Sequence, residues 1–152
     1  MSNSARFAAC AVAFEKAYEN DQWSELEQYF SDDAVYQVGL PILGAERCEG
    51  RAALLAWFPD VLDRFDRRFA SRELTLIDGP KENGNEVWIH GAATYRAEGV
   101  PDFALVLEET VRFEDGLIVH LEDRYTPEMA AETEAYLREY CERLGIEIAA
   151  DG

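Results

Sequence analysis

The sequence predicts an α+β fold: helices first, then an antiparallel sheet, then one more helix. Three observations carry this. Apolar residues recur at helical spacing in the first part of the chain, four strand-like runs fill the stretch from Glu73 to Tyr125, and a capped amphipathic helix starts at Thr126. The 152 residues fit one domain, 1–152, with a core of about 5–130, and can bury a sizeable core without disulfides.

From about Ala5 to Asn20, the residues Phe7, Ala11, Phe14 and Tyr18 form one apolar stripe with Cys10 beside it, which predicts a helix packed by that face. Asn20 and Asp21 end it. Ser24 and Glu27 have capping-box spacing for a short second helix ending near Phe30, with Leu26 and Phe30 inward. Val35 to Val38 make a short first strand. Between Gly39 and Gly50, Leu40, Pro41, Ile42 and Leu43 come in succession, and they either line a cavity mouth or plug one end of the core. Leu54, Phe58, Val61, Phe65 and Phe69 mark a third helix from Arg51, with Leu55 and Leu62 widening its stripe. Pro59 lacks a backbone donor and disfavours helical geometry at Phe58, so a kink or break is expected there.

ELTLI reads as a strand, DGPKENGN as a polar turn and EVWIHGAATY as a long strand. Trp88 and His90 share one face of that strand, while Ile89, Gly91, Ala93 and Tyr95 share the other; the sequence leaves open which is internal. Thr126 caps the last helix, about 127–144, with Pro127 at its first position, Gly145 as its stop, and Met129, Thr133, Leu137, Tyr140 and Leu144 on its inner face.

Between the long strand and that helix, FALVLEETVRF and LIVHLEDRY flank EDG as a β-hairpin. A three-residue loop of Glu114, Asp115 and Gly116 pairs Phe113 with Leu117, Val111 with Val119, Glu109 with Leu121 and Leu107 with Asp123. One surface then carries Phe103, Leu105, Leu107, Glu109, Val111, Phe113, Leu117, Val119, Leu121, Asp123 and Tyr125. The other carries Glu108, Thr110, Arg112, Ile118, His120, Glu122 and Arg124. A two-residue loop would mix the apolar and polar sets on each face. Two carboxyls, Glu109 and Asp123, thus sit as diagonal neighbours on an apolar surface. Burying an ionised carboxylate demands a partner, a shifted pKa or water, so the pair either reaches the solvated sheet edge or marks a pocket.

The segments ENDQWSELEQYFSDDAVYQ, CEGRAALLAWF and FEDGLIVHLEDRYTP, with this order of elements, resemble the nuclear transport factor 2-like superfamily, over roughly residues 5–130. Steroid isomerases, SnoaL-like cyclases, scytalone dehydratase and limonene epoxide hydrolase are members. The resemblance implies a curved sheet and helices forming a cone around an apolar pocket, and a homodimer through the outer sheet surface. It places Glu109 where the steroid isomerases carry the acid that donates to the substrate oxyanion, although their tyrosine falls at Phe14 and their general base near Val38. Asp123 matches the inward aspartate of SnoaL-like members and of limonene epoxide hydrolase, whose arginine and second aspartate fall near Trp88 and His90.

The charge of −17, from 31 acids against 14 bases, argues against nucleic acid or an anionic membrane as partner. Cys10, Cys48 and Cys141 are widely spaced and form no CxxC, which suits a reducing cytoplasm and suggests no thiolate metal site. His90 and His120 lie on different strands without further ligands in view, and no GxSxG elbow, phosphate loop or dinucleotide fingerprint occurs. The expectation is therefore a small enzyme without metal or nucleotide cofactor, acting by acid–base chemistry on an apolar small molecule. By analogy with the steroid isomerases, the resemblance implies Glu109 as its protonated donor, Asp123 as its base, and His90 as a relay if it faces inward. Phe14, Tyr18, Tyr36, Val38, Trp57, Trp88, Leu107, Leu121 and Tyr125 are its expected pocket lining. A non-catalytic ligand-binding or dimeric interaction module of the same fold is the alternative.

Overall fold

Strand β1 (Phe30–Val38) runs parallel to β6 (Leu117–Arg124), while every other neighbouring pair is antiparallel, and this pairing closes a mixed sheet. With β2 (Arg47–Glu49), β3 (Ser71–Asn83), β4 (Glu86–Arg96) and β5 (Phe103–Glu114) the strand order is β2-β1-β6-β5-β4-β3. A computed structural model of the chain describes residues 1–43 and 47–148. The expected 39–50 connection therefore lies outside the described residues at 44–46. Helices α1 (Asn3–Asn20), α2 (Arg51–Arg64) and α3 (Pro127–Leu144) complete the cone.

Two apolar clusters fill it. Leu26, Phe30, Leu54, Phe58, Val87, Val111, Phe113 and Ile118 form the first, under α1 and α2. The second joins Leu40, Phe65, Phe69, Phe103 and Leu105 to Met129 and Leu137 of α3. Each fully buried Phe or Leu contributes roughly 1.5–3 kcal/mol, so these clusters hold the helices to the sheet. Leu121 belongs to the first cluster and Tyr125 packs on the second, which puts Asp123, midway between them in sequence, at their seam.

Several elements differ from expectation for local reasons. Ala11 is exposed, and Ala17 takes its place on the buried stripe of α1. The second helix is a 3-10 turn, Trp23–Tyr29, preceded by Gln22 with no side-chain cap, so the Ser24–Glu27 capping box does not form. β1 begins at Phe30, five residues before Val35. α2 continues through Pro59, held on either side by Phe58 and Leu62, buried at 4 % and 2 %, and ends at Arg64, short of the expected Phe69, with Phe65 as its C-cap. The polar run DGPKEN belongs to β3, whose pairing with β4 shifts around Asp78. The caps of α3 form as expected: the Thr126 hydroxyl accepts from Met129 N, Pro127 opens the helix, and Gly145 at φ 71° closes it.

Candidate active site

The turn between β5 and β6 is Asp115-Gly116, with φ of 51° and 79°, the left-handed pair that a two-residue hairpin connection favours. Phe113 consequently opposes Ile118, not Leu117, and Ile118 is buried at 2 % instead of facing outward. Arg112 next opposes His120, so Val119 is an extra residue in a bulge. One extra residue moves every later side chain to the other face. Beyond it Leu121 pairs with Val111 and Asp123 with Glu109, and these four side chains share the inner surface. The expected loop and pairing are thus replaced, while the inward placement of both acids stands. They face each other directly, not diagonally.

Asp123 is 8 % exposed, and its Oδ2 accepts a short hydrogen bond from the Tyr36 hydroxyl. β1 brings Tyr36 there because Tyr36 pairs with Leu121 and Val38 with Asp123 in the parallel register. Asp123 Oδ1 is buried and receives no hydrogen bond from an N–H or hydroxyl of the described residues. A buried acceptor left without a donor costs about 1–3 kcal/mol. The neighbouring Glu109 carboxyl becomes that donor if it keeps its proton. Burial, the charge on Asp123 and a hydrogen bond to Asp123 push it well above the ordinary carboxylate range, in that order. One arrangement satisfies both residues: a neutral Glu109 and the Tyr36 hydroxyl each donating to the Asp123 carboxylate.

Burial and then the charge on Asp123 raise the Tyr36 and Tyr125 phenols well above 10, so both stay protonated donors. Burial, helped by Glu109, lifts the Cys10 thiol to about 12 and keeps it neutral. Phe14 stacks edge-on against Phe58 at 5.2 Å, and Phe58 meets Tyr36 at 5.5 Å, giving the pair an aromatic wall.

A second buried acid went unnoticed in the sequence. Asp66, in the turn after α2, accepts on Oδ2 from the Tyr95 hydroxyl at 3.0 Å and from Arg72 Nε at 3.1 Å. Arg72 also holds both Glu15 oxygens, at 2.9 and 3.2 Å, and its guanidinium lies 4.6 Å above the Tyr18 ring. Burial pushes Asp66 up to about 6, with Arg72 and Tyr95 opposing the rise. The available signal was its position in DRFDRRF, between the core anchors Phe65 and Phe69.

Of the other expected residues, Val38, Leu107, Leu121 and Tyr125 lie on the same inner surface or next to it, and Tyr18 sits at the Arg72 end. Trp57 lies at the margin of the first cluster beneath Arg64, 5.1 Å from its guanidinium. Trp88 and His90 lie on the outer face of β4: Val87, Gly91, Ala93 and Tyr95 take the buried positions, and Trp88 Nε1 donates to the exposed Glu108 at 3.0 Å. His90 is on the wrong side of the sheet to serve as a relay, and Trp88 to line the cone. No group of three or more His, Cys, Asp or Glu side chains among the described residues is arranged to hold a metal. No helix among them is long and apolar enough to cross a membrane.

A family model described as a SnoaL-like domain matches residues 11–121. The chain belongs to this family. Among solved structures, it is similar to Bal32a from a soil-derived mobile gene cassette, at 15 % identity over 89 % of this chain and 99 % of that one, TM-score 0.65. TerC, co-crystallised with polyporic acid, is similar at 12 % identity over 88 % and 98 %, TM-score 0.65. A "putative polyketide cyclase" from Xanthomonas campestris is similar at 20 % identity over 90 % and 99 %, TM-score 0.55. These likenesses establish the nuclear transport factor 2-like fold. A search of curated proteins finds no match.

Proposed function

We propose that this SnoaL-like protein is a small enzyme that moves protons on an apolar small molecule held in the cone, as an isomerase, cyclase, hydratase or hydrolase. The observation that carries this is the directly opposed Glu109–Asp123 pair, with Asp123 held by the Tyr36 hydroxyl and burial raising the Glu109 carboxyl. Such a pair offers a donor and an acceptor at one point. Asp123 takes a proton from the ligand or from a water, Glu109 gives one to an oxygen of the ligand, and a proton passing back across their shared hydrogen bond resets both. Glu109, Tyr36 and Tyr125 are deep enough for burial to dominate their pKa values, and each keeps some accessible surface. The co-crystallisation of TerC with polyporic acid and the description of the Xanthomonas protein as a "putative polyketide cyclase" fit the same reading.

The alternative, ligand binding without chemistry, is favoured by the burial of Asp123. Incubation with a panel of enolisable apolar ketones in deuterated water separates the two. An enzyme incorporates deuterium at the acidic carbon, and Asp123→Asn abolishes it; a binding module returns every ketone unlabelled. We further propose a cytoplasmic homodimer joined through the outer sheet face around Thr110 and His120, without Ile118, which points inward. Sedimentation at micromolar concentration giving only a 17.2 kDa species contradicts the dimer.

A further inference from the structure

Val12, Leu74, Leu76 and Ile77 are each 50–60 % exposed, and apart from Met1 they are the large apolar side chains left open among the described residues. They lie on one flank. Leu74 and Leu76 pair with the buried Ala93 and Gly91, so they share the face of Arg72, which reaches Glu15 of α1 at 2.9 Å. Near the other end of the helix, Ser4 N donates to Glu82 of β3 at 2.6 Å. α1 therefore runs along β3, with Val12 between these two ties. Its turns from Phe7 to Phe14 carry no charge, the composition of a helix covered all round, yet Phe7, Cys10, Ala13 and Phe14 meet the core while Ala8, Ala11 and Val12 face water. The four half-exposed side chains present on the order of 300 Å² of apolar surface, the range at which a patch on a monomer marks a contact.

β3 is also an open edge of the sheet, and an edge strand beside an apolar patch is a template for another strand. The residues suit a second copy of this chain. Antiparallel pairing about Thr75 sets Thr75 against the partner's Thr75, Leu74 against the partner's Leu76 twice over, and Glu73 against the partner's Ile77, so no like charges oppose one another. The charges nearby are already paired within the chain, Glu15 with Arg72, Glu73 with Arg96 and Asp78 with Lys81. They leave little for a basic partner to recognise and little to repel an identical one, despite the net charge of −17. Register shifts on either side of Asp78, and Pro80 with no N–H to donate, confine regular pairing to the segment before Ile77. The opposite edge, β2, is three residues long with Arg47 and Glu49 paired to each other, so a growing filament has no second edge to use and the two-fold contact closes. Both α1 helices then lie on the same side of the joined sheet and add Ala8, Ala11 and Val12 toward the roughly 800 Å² per partner of a stable interface. We propose that the β3 edge and the adjoining flank of α1 are a self-association surface, joined antiparallel about Thr75. It is independent of the outer-face contact and of the acid–base reading.

Oxidation of the full chain with copper–phenanthroline, and sedimentation at micromolar concentration, test it. Thr75→Cys is expected to give a disulfide-linked species of twice the chain mass. Glu73→Cys, whose nearest counterpart lies four residues away along the partner strand, is not, and neither is the wild-type chain with its free Cys10, Cys48 and Cys141. Leu76→Glu, at a side chain already half in water, is expected to halve the sedimenting mass and to remove the cross-link of Thr75→Cys. His120→Glu, on the outer sheet face, leaves that cross-link in place. Equal cross-linking of Thr75→Cys and Glu73→Cys, an unchanged mass in Leu76→Glu, or a cross-link lost in His120→Glu and kept in Leu76→Glu overturns the proposal. A patch that serves some other partner gives the unchanged mass. Should Leu76→Glu fail to fold, the contrast between Thr75→Cys and Glu73→Cys decides.

Discussion

Glu109 and Asp123 are opposite partners in the β5–β6 ladder, on its inner surface, and the second of them also holds the Tyr36 hydroxyl. Two acids so placed cannot both ionise cheaply, and a proton kept on Glu109 would give the otherwise unmet Oδ1 of Asp123 its donor.

Replacing either donor should therefore be measurable. Glu109→Gln keeps an N–H toward Asp123 and is expected to stay within about 1 kcal/mol of wild type in urea unfolding, whereas Glu109→Ala and Tyr36→Phe each leave an acceptor bare and lose about 1–3 kcal/mol. Equal stability of the Gln and Ala variants contradicts the donor role.

Asp66 makes a pH prediction whose sign follows from its raised value. With a folded value of about 6 against an ordinary 3.8, the native state holds this proton where the unfolded chain has released it. Its contribution therefore falls as pH rises from about 4 to 6, by on the order of 3 kcal/mol at about 1.4 kcal/mol per unit. The stability difference between Asp66→Asn and wild type should shift by about that amount in favour of the variant across this window. Arg72, Tyr95, Glu15 and the Tyr125 phenol share its surroundings and are unchanged in both proteins. A pH-independent difference rejects the prediction.

The hairpin turn offers a third test. Gly116 at φ 79° resists any Cβ on backbone grounds, and an added methyl would also meet Arg6 Nε at 3.2 Å. Gly116→Ala should lose roughly 1 kcal/mol or more, while Asp115→Asn, which suits the left-handed position, should be neutral or slightly stabilising. Thermal unfolding of both variants checks it.

This turn also shows what could and could not be read from residues alone. Alternation along FALVLEETVRF and LIVHLEDRY was enough to put both acids inside, because the apolar set around them is unambiguous. The pairing was not legible: a bulge at Val119 leaves no composition signal, and it lets a two-residue turn achieve the face separation for which a three-residue loop was expected. Asp66 and Arg72 were missed because charges in DRFDRRF and SRELT look like a solvated surface; only the sheet brings them to Tyr95. Trp88 and His90 had equal claims to either face until the pairing of Ile89 with Glu109 put them outside. Tyr36 was expected as lining, and its bond to Asp123 depends on the parallel β1–β6 pairing, a contact between strands distant in sequence.

Carboxyl 13C shifts of Glu109 and Asp123, followed by NMR from pH 3 to 9, test the shared proton most directly. Glu109 should remain protonated through neutral pH, and Asp123→Asn should bring its pKa down. A Glu109 signal that titrates alone near the ordinary value of about 4.3 would contradict the paired arrangement and the acid–base chemistry built on it.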